Sequence, residues 1–434
     1  MKVFMLGWEF PPFISGGLGT ACYGLTKAMS QLGTKVTFVL PKMVESQFAT
    51  HVKLLGPDSV VGGKSFRFKE LKNVTFRAIP SALQPYSSPS DYQQRIEKQL
   101  MLKQQFGRDK INLSEILSST ADYSGDMYNE IHRYAALAAE LAFDERFDVV
   151  HAHDWMTYPA GIAVAAASGR PLVIHVHSTE FDRSGENVNQ MIYDIERRGM
   201  HAADKIIAVS WFTRNIIIGR YGISGDKVEV VHNGVERNGN GNSQWALSET
   251  GIKKDEKIVL FLGRITMQKG PEYFLQAAKK VLSVMDDVKF IMAGSGDMMY
   301  RAIEMAAEMG IGQKVLFTGF LRGEDVRKIY KMADMYVMPS VSEPFGIAPL
   351  EALENDVPVI ISKQSGVSEV LTHALKVDFW DTDEIANKVV AVLKYPPLRM
   401  TLKDYGNYEV RKLRWKDSAR KCMDVYQEAL CVGV

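Results

Sequence analysis

Ile258-Val259-Leu260-Phe261-Leu262-Gly263-Arg264, followed by Lys269-Gly270-Pro271, decides the reading of this chain. Five consecutive apolar residues suit a strand covered on both faces, as in a parallel sheet. Pro271 suits the first position of a helix, where its missing N–H costs nothing. Arg264 and Lys269 therefore fall in one strand-to-helix loop. A diphosphate leaving group needs its charge neutralised as its bond breaks, and Arg offers a bidentate fork and Lys a point charge. The same pair also fits two solvated surface cations near a helix start.

Downstream the pattern repeats at Lys289–Ala293, Val315–Thr318, Met335–Met338 and Val357–Ile361. Upstream, Val3–Leu6, Val36–Leu40, Asp148–Val150, Leu172–Val176, Lys205–Val209 and Val228–Val231 alternate with helical spacing such as Cys22, Leu25, Met29 and Leu32. Alternating strands and helices predict two doubly wound, Rossmann-like α/β domains facing a cleft. The stretch 237–243 has no apolar residue and reads as the linker. The expected domains are 1–238 and 239–410. An amphipathic helix in 411–434, with Ala419, Cys422, Val425, Tyr426 and Leu430 on its apolar face, is expected to pack near the junction. The insertion of about 87–122 is polar and helix-prone, with no role assigned.

The length of 434 residues suits two domains of about 200 residues each. With 52 Lys+Arg against 51 Asp+Glu, the net charge of +1 gives no long-range pull toward nucleic acid or anionic membrane. Any anion must be held by local groups. Cys22, Cys422 and Cys431 form neither CxxC spacing nor a disulfide framework, which points to a reducing compartment. The N-terminus reads as a buried strand rather than a signal peptide, and no apolar run is long enough to span a bilayer. A cytoplasmic protein without an integral membrane segment is expected.

Ser342-Glu343-Pro344-Phe345-Gly346-Ile347-Ala348-Pro349-Leu350-Glu351 follows the strand Met335–Met338. Pro349 fits only a first helical turn, so the helix starts near Ile347, with Glu343 in the loop and Glu351 about one turn in. Each ionised carboxylate can accept two hydroxyl hydrogens and so suits a diol. One Glu suits a transferred sugar and the other a ribose; each also fits an ordinary capping or helix acid. Gly16-Gly17-Leu18-Gly19 lies between the first strand and first helix, where glycine lets backbone N–H groups approach an anion. His151-Ala152-His153-Asp154-Trp155 is placed just after a strand. Its two histidines at i, i+2 suggest a metal, but no third ligand is evident, and no metal is expected. Trp155 and Tyr158 fit an acceptor subsite or the core, and His177 fits the cleft or a polar strand end. Gly294-Ser295-Gly296 reads as a strand-helix turn near a nucleotide. Asp381-Thr382-Asp383, despite its D-x-D spacing, reads as a helix cap.

Together these motifs resemble the GT-B-fold retaining glycosyltransferases, a family that includes glycogen and starch synthases. The resemblance covers nearly the whole chain and includes His232-Asn233-Gly234-Val235. It implies that Arg264 and Lys269 bind the donor diphosphate, that Glu343 contacts the donor sugar and Glu351 the ribose, and that Phe345 and Gly346 belong to the same donor loop. It implies further that Gly16, Gly17, Leu18 and Gly19 lie against the donor phosphates from the opposite domain, and that His153 sits beside the reacting sugar. Ile14 stands where bacterial glycogen synthases carry a Lys. The implied activity is hexosyl transfer from ADP-glucose or UDP-glucose, as substrate and with no cofactor, to a carbohydrate acceptor, an α-glucan first. Alternatives are a sucrose-phosphate-synthase-like or lipid- or polysaccharide-directed transferase, a nucleotide-sugar 2-epimerase, or a non-catalytic sugar-nucleotide binder.

Overall fold

The computed structural model describes residues 1–10, 16–41, 53–54, 65–67, 71–79, 127–235 and 255–432. Ile14, the insertion 87–122, the polar stretch 237–243 and the boundary at 238/239 lie outside the described residues.

Among the described residues the chain forms two sheets. The first contains β1 (Lys2–Leu6), β2 (Lys35–Pro41), β3 (Lys53–Leu54), β4 (Ser65–Arg67), β5 (Val74–Ile79), β6 (Val149–His153), β7 (Leu172–Val176), β8 (Lys205–Ala208) and β9 (Val228–Val230). Its order is β3-β4-β5-β2-β1-β6-β7-β8-β9, parallel except at the β3 and β4 edge. The second contains β10 (Lys257–Leu262), β11 (Val288–Ala293), β12 (Val315–Gly319), β13 (Met335–Met338), β14 (Val359–Ser362) and β15 (Leu375–Val377). It is parallel throughout, in the order β12-β11-β10-β13-β14-β15. The expected pair of doubly wound α/β domains is what the chain forms. The sequence reading did not name β3, β4, β5 or β15.

Each sheet reverses its winding beside its first strand, at β1/β6 and at β10/β13. Crossovers leave to opposite sides of the sheet there, so a crevice opens beyond the strand carboxyl ends, and ligands of such sheets bind in it. Continuous apolar strands bury both faces: β1 from Val3 to Leu6 and β10 from Ile258 to Phe261 are at most 4% exposed.

The helix Trp415–Val432 carries the expected apolar stripe, but the stripe docks on the first domain. Ala419, Cys422, Val425, Tyr426 and Ala429 join the core built by β1, β6 and β7. Its first turn lies at the junction, where Ser418 Oγ donates to the His232 carbonyl at 2.7 Å, just after the Leu413 carbonyl accepts the Val235 N–H at 3.0 Å. Gly24 makes the docking possible, because a Cβ there would lie 2.2 Å from the Trp415 ring.

Candidate active site

The loops after β10 and β13 meet at the second reversal point. The first is pinned by its neighbour: the Ile265 N–H donates to the Ser295 carbonyl at 2.9 Å, and the Met298 N–H to the Ile265 carbonyl at 3.0 Å. A Cβ on Gly294 would lie 1.8 Å from the Gly263 carbonyl oxygen, and one on Gly296 would lie 2.2 Å from that of Ile265. These two glycines admit the backbone carrying Arg264. Arg264 Nη2 donates to Gln268 Oε1 at 3.3 Å. Pro271 opens the helix Pro271–Leu282, as expected, behind Gly270 at φ +67°.

The Val341 N–H donates to the Gln268 carbonyl at 2.9 Å, tying the second loop to the first. The result is an ion pair between Lys269 Nζ and the Glu343 carboxylate across the β10/β13 reversal, with Ser340 Oγ 3.4 Å from the same carboxylate oxygen. Glu343 is 7% exposed. Its backbone is held at both ends, since its N–H donates to the Gln364 carbonyl and its carbonyl accepts from the Gly366 N–H. Gly346, at φ +101°, turns the chain into the helix Ile347–Glu354. Phe345 is buried and stacks on His232 with ring centroids 5.8 Å apart.

Glu351 does not converge on Lys269 with Glu343. It lies 3.2 Å from the Tyr330 hydroxyl and faces a cavity of about 100 Å³, lined also by Thr20, Tyr23, Gly234, Ile347 and Trp415. Burial raises its pKa above the usual carboxylate range, against the Tyr330 hydrogen bond, which lowers it.

On the facing domain, Gly16 is extended and Gly17 opens the helix Gly17–Gln31. Leu18 is buried. The Gly19 N–H, expected to face an anion, donates to Glu9 Oε2 at 3.2 Å. Glu9, 1% exposed, supplies a carboxylate from within the chain at this helix N-terminus. Sequence reading missed it, because Trp8-Glu9 looks like an ordinary strand exit.

The histidine motif departs most from expectation. β6 runs on through His151, Ala152 and His153, so both histidines lie within the strand and on one face of it. His153 is fully buried and has no surface in the cleft. His175 pairs in register with His153 across β6 and β7, and His177 follows two residues later on the same face. The four imidazoles stack, with centroids 4.2 Å apart for His151–His153 and for His175–His177. His177, only half-buried, covers His153, with its Nε2 2.9 Å from His153 Nδ1. Desolvation keeps them neutral: burial, then the charge of His177, lowers the pKa of His151 to about 3, and burial lowers His177 to about 3. Asp154 turns the chain at φ +58° and accepts the His177 N–H at 2.7 Å; burial raises its pKa to about 7. Trp155 and Tyr158 are core residues, 4% and 1% exposed. Asp381 caps the helix Thr382–Lys394, accepting the Glu384 N–H at 2.9 Å, as its spacing predicts.

Polar contacts tie the domains together around the crevice. Ser342 Oγ donates to Asp182 Oδ1 at 2.6 Å, and Ser210 Oγ to the Pro344 carbonyl at 2.5 Å. Glu369 accepts the Trp211 and Phe212 N–H groups at 2.9 and 2.6 Å and lies 3.3 Å from His232 Nε2. A carboxylate from the second domain thus sits on the N-terminus of the helix Trp211–Tyr221 in the first. Glu369→Ala should lower stability by about 1–2 kcal/mol, read by thermal unfolding, because two amides and an imidazole lose one acceptor. A midpoint equal to that of the parent chain would show the contact to be idle.

Residues 246–408 match the family model "Glycosyl transferases group 1", and residues 121–238 match "Glycosyltransferase Family 4". An uncharacterized glycosyltransferase of Methanocaldococcus jannaschii is 28% identical, with 99% of each chain covered. Glycogen synthase of Mycobacterium tuberculosis is 24% identical over 86% of this chain and 80% of that one. The solved structure of Anabaena HepE in complex with UDP and glucose superposes with a TM-score of 0.69 at 16% identity, covering 99% of this chain and 100% of that one. The chain therefore carries two glycosyltransferase domains in a GT-B fold. No helix among the described residues is long and apolar enough to cross a membrane.

Proposed function

We propose that this chain is a retaining hexosyltransferase that moves glucose from ADP-glucose or UDP-glucose to an α-glucan acceptor. The observation that carries this reading is the Lys269–Glu343 pair across the β10/β13 reversal, with Arg264 on the same loop. Within the crevice the ammonium and the carboxylate satisfy each other. A donor would exchange both partners, its diphosphate taking Lys269 and Arg264 while its sugar hydroxyls take Glu343. The C1–O bond to phosphate breaks, the acceptor oxygen bonds to C1 on the same face, and the acceptor proton passes to a leaving phosphate oxygen. The two cations stabilise charge that grows as the bond breaks, which is where fixed electrostatic groups contribute most. Glu351, some distance away beside Tyr330, is assigned the ribose. His153 would act through His177 rather than by touching the sugar, given its burial.

The test is a panel of ADP-, UDP- and GDP-glucose with malto-oligosaccharide acceptors, followed by proton NMR. Release of nucleoside diphosphate with an α-anomeric product is expected. A β-linked product would end the retaining assignment, and conversion of the donor without any acceptor would replace transfer with epimerisation.

A further inference from the structure

His151 and His175 have no part in this chemistry, and His153 enters it only behind His177. Four of their nitrogens are buried without a hydrogen-bond partner among the described residues: His151 Nε2, His153 Nε2, and both Nδ1 and Nε2 of His175. An unpartnered buried polar atom costs about 1–3 kcal/mol, and one ion held by one nitrogen of each ring would partner three of the four. One ligand nitrogen from each of His151, His153 and His175 can be chosen so that all three lie within 4.8 Å of one another.

We propose that His151, His153 and His175 bind one divalent transition-metal ion, Zn²⁺ by ligand type, at a buried three-histidine site beneath the crevice. Imidazole nitrogen suits this borderline ion, whereas Mg²⁺ and Ca²⁺ prefer oxygen. The surrounding hydrogen bonds already select the ligating atoms of His151 and His153. The Tyr426 hydroxyl lies 2.5 Å from His151 Nδ1, and His177 Nε2 lies 2.9 Å from His153 Nδ1. With each Nδ1–H donated to its neighbour, both Nε2 lone pairs are left for a metal. Metal-bound histidines are commonly oriented by such a bond on the other nitrogen. Zn–N distances of about 2.0–2.1 Å place tetrahedral ligands about 3.4 Å apart, so the rings close inward by an ångström or so on binding. The site sits where the Trp415–Val432 helix crosses the first sheet, so the ion would fasten that helix to β6 through Tyr426.

Metal content of the full-length chain, stripped with dipicolinate and then titrated with Zn²⁺ or Co²⁺, tests this directly. One equivalent should bind, Co²⁺ should give the intense visible bands of low-symmetry coordination, and the unfolding midpoint should rise by about 5 °C or more at a hundredfold excess over the dissociation constant. His175→Gln should bind at least about a hundredfold more weakly. Tyr426→Phe keeps all three ligands and should weaken binding about tenfold, which preserves the test if the first variant does not fold. A stripped, folded chain that takes up no metal would overturn the site. So would wild-type uptake by a folded His175→Gln chain, or by Tyr426→Phe should His175→Gln not fold.

Discussion

Lys269→Ala should lower kcat about a thousandfold while KM for the donor changes far less. Lys269 stands at the end of a loop held by backbone bonds to both neighbouring loops, and its ammonium is presented across the reversal point where Glu343 now meets it. A fixed cation aimed at charge that develops only as a bond breaks lowers the barrier, not the binding energy; removing one such group costs about 10²–10³ in kcat. Arg264→Ala should act in the same sense. If both cations serve one leaving group, as proposed, the double variant should lose less than the product of the two single losses. The alanine at 269 also leaves the Glu343 carboxylate, 7% exposed, without its partner. Thermal unfolding must therefore accompany the kinetics, and Lys269→Met would preserve more of the packing. Turnover of a folded Lys269 variant within about tenfold of the parent chain would remove this residue from the leaving-group site.

How legible this site was in the sequence depended on how local its chemistry is. Pro271, Pro349 and Asp381 act within one helical turn, and each helix begins where they say. Arg264 and Lys269 lie within one loop, and the apolar run before them could only be a buried strand. Even the Lys269–Glu343 meeting followed from topology: loops after the first and fourth strands of such a sheet must be neighbours.

What was not legible depends on distance or on an unexpected charge state. His151 and His153 read as residues beyond the strand because histidine is polar. Desolvation holds them neutral, and neutral stacked imidazoles extend β6 as an aromatic face would. The third imidazole of the cluster comes from a strand that only the sheet order brings alongside. Glu9 and Gly19 are ten residues apart, with no spacing rule linking them. The apolar stripe of the last helix announced that it would be buried, but not where: Gly24, which receives Trp415, looks like any helical glycine until the partner is known.

Gly270→Ala should be among the most damaging single methyl additions near the crevice, and two costs make it so. The first is conformational: φ of +67° is left-handed, where alanine is disfavoured by about 1–2 kcal/mol. The second is steric. The new Cβ would lie 2.0 Å from the Pro339 carbonyl oxygen, which is backbone and cannot swing aside like a side chain. Gly310→Ala separates the two, because Gly310 has φ +71° but nothing lies within 4 Å of the place its Cβ would take. Gly310→Ala should lose only the conformational part. Gly270→Ala should lose about 3 kcal/mol or more in total, a fall of roughly 6–12 °C in the unfolding midpoint of a domain this size. Relief of the clash can only come from parting the loops after β10 and β13, and that withdraws Lys269 from Glu343. The variant should therefore lose turnover even at temperatures where it stays folded. If the two glycine variants unfold at the same temperature, the loops have room to spare, and the close approach at Pro339 is not what positions Lys269.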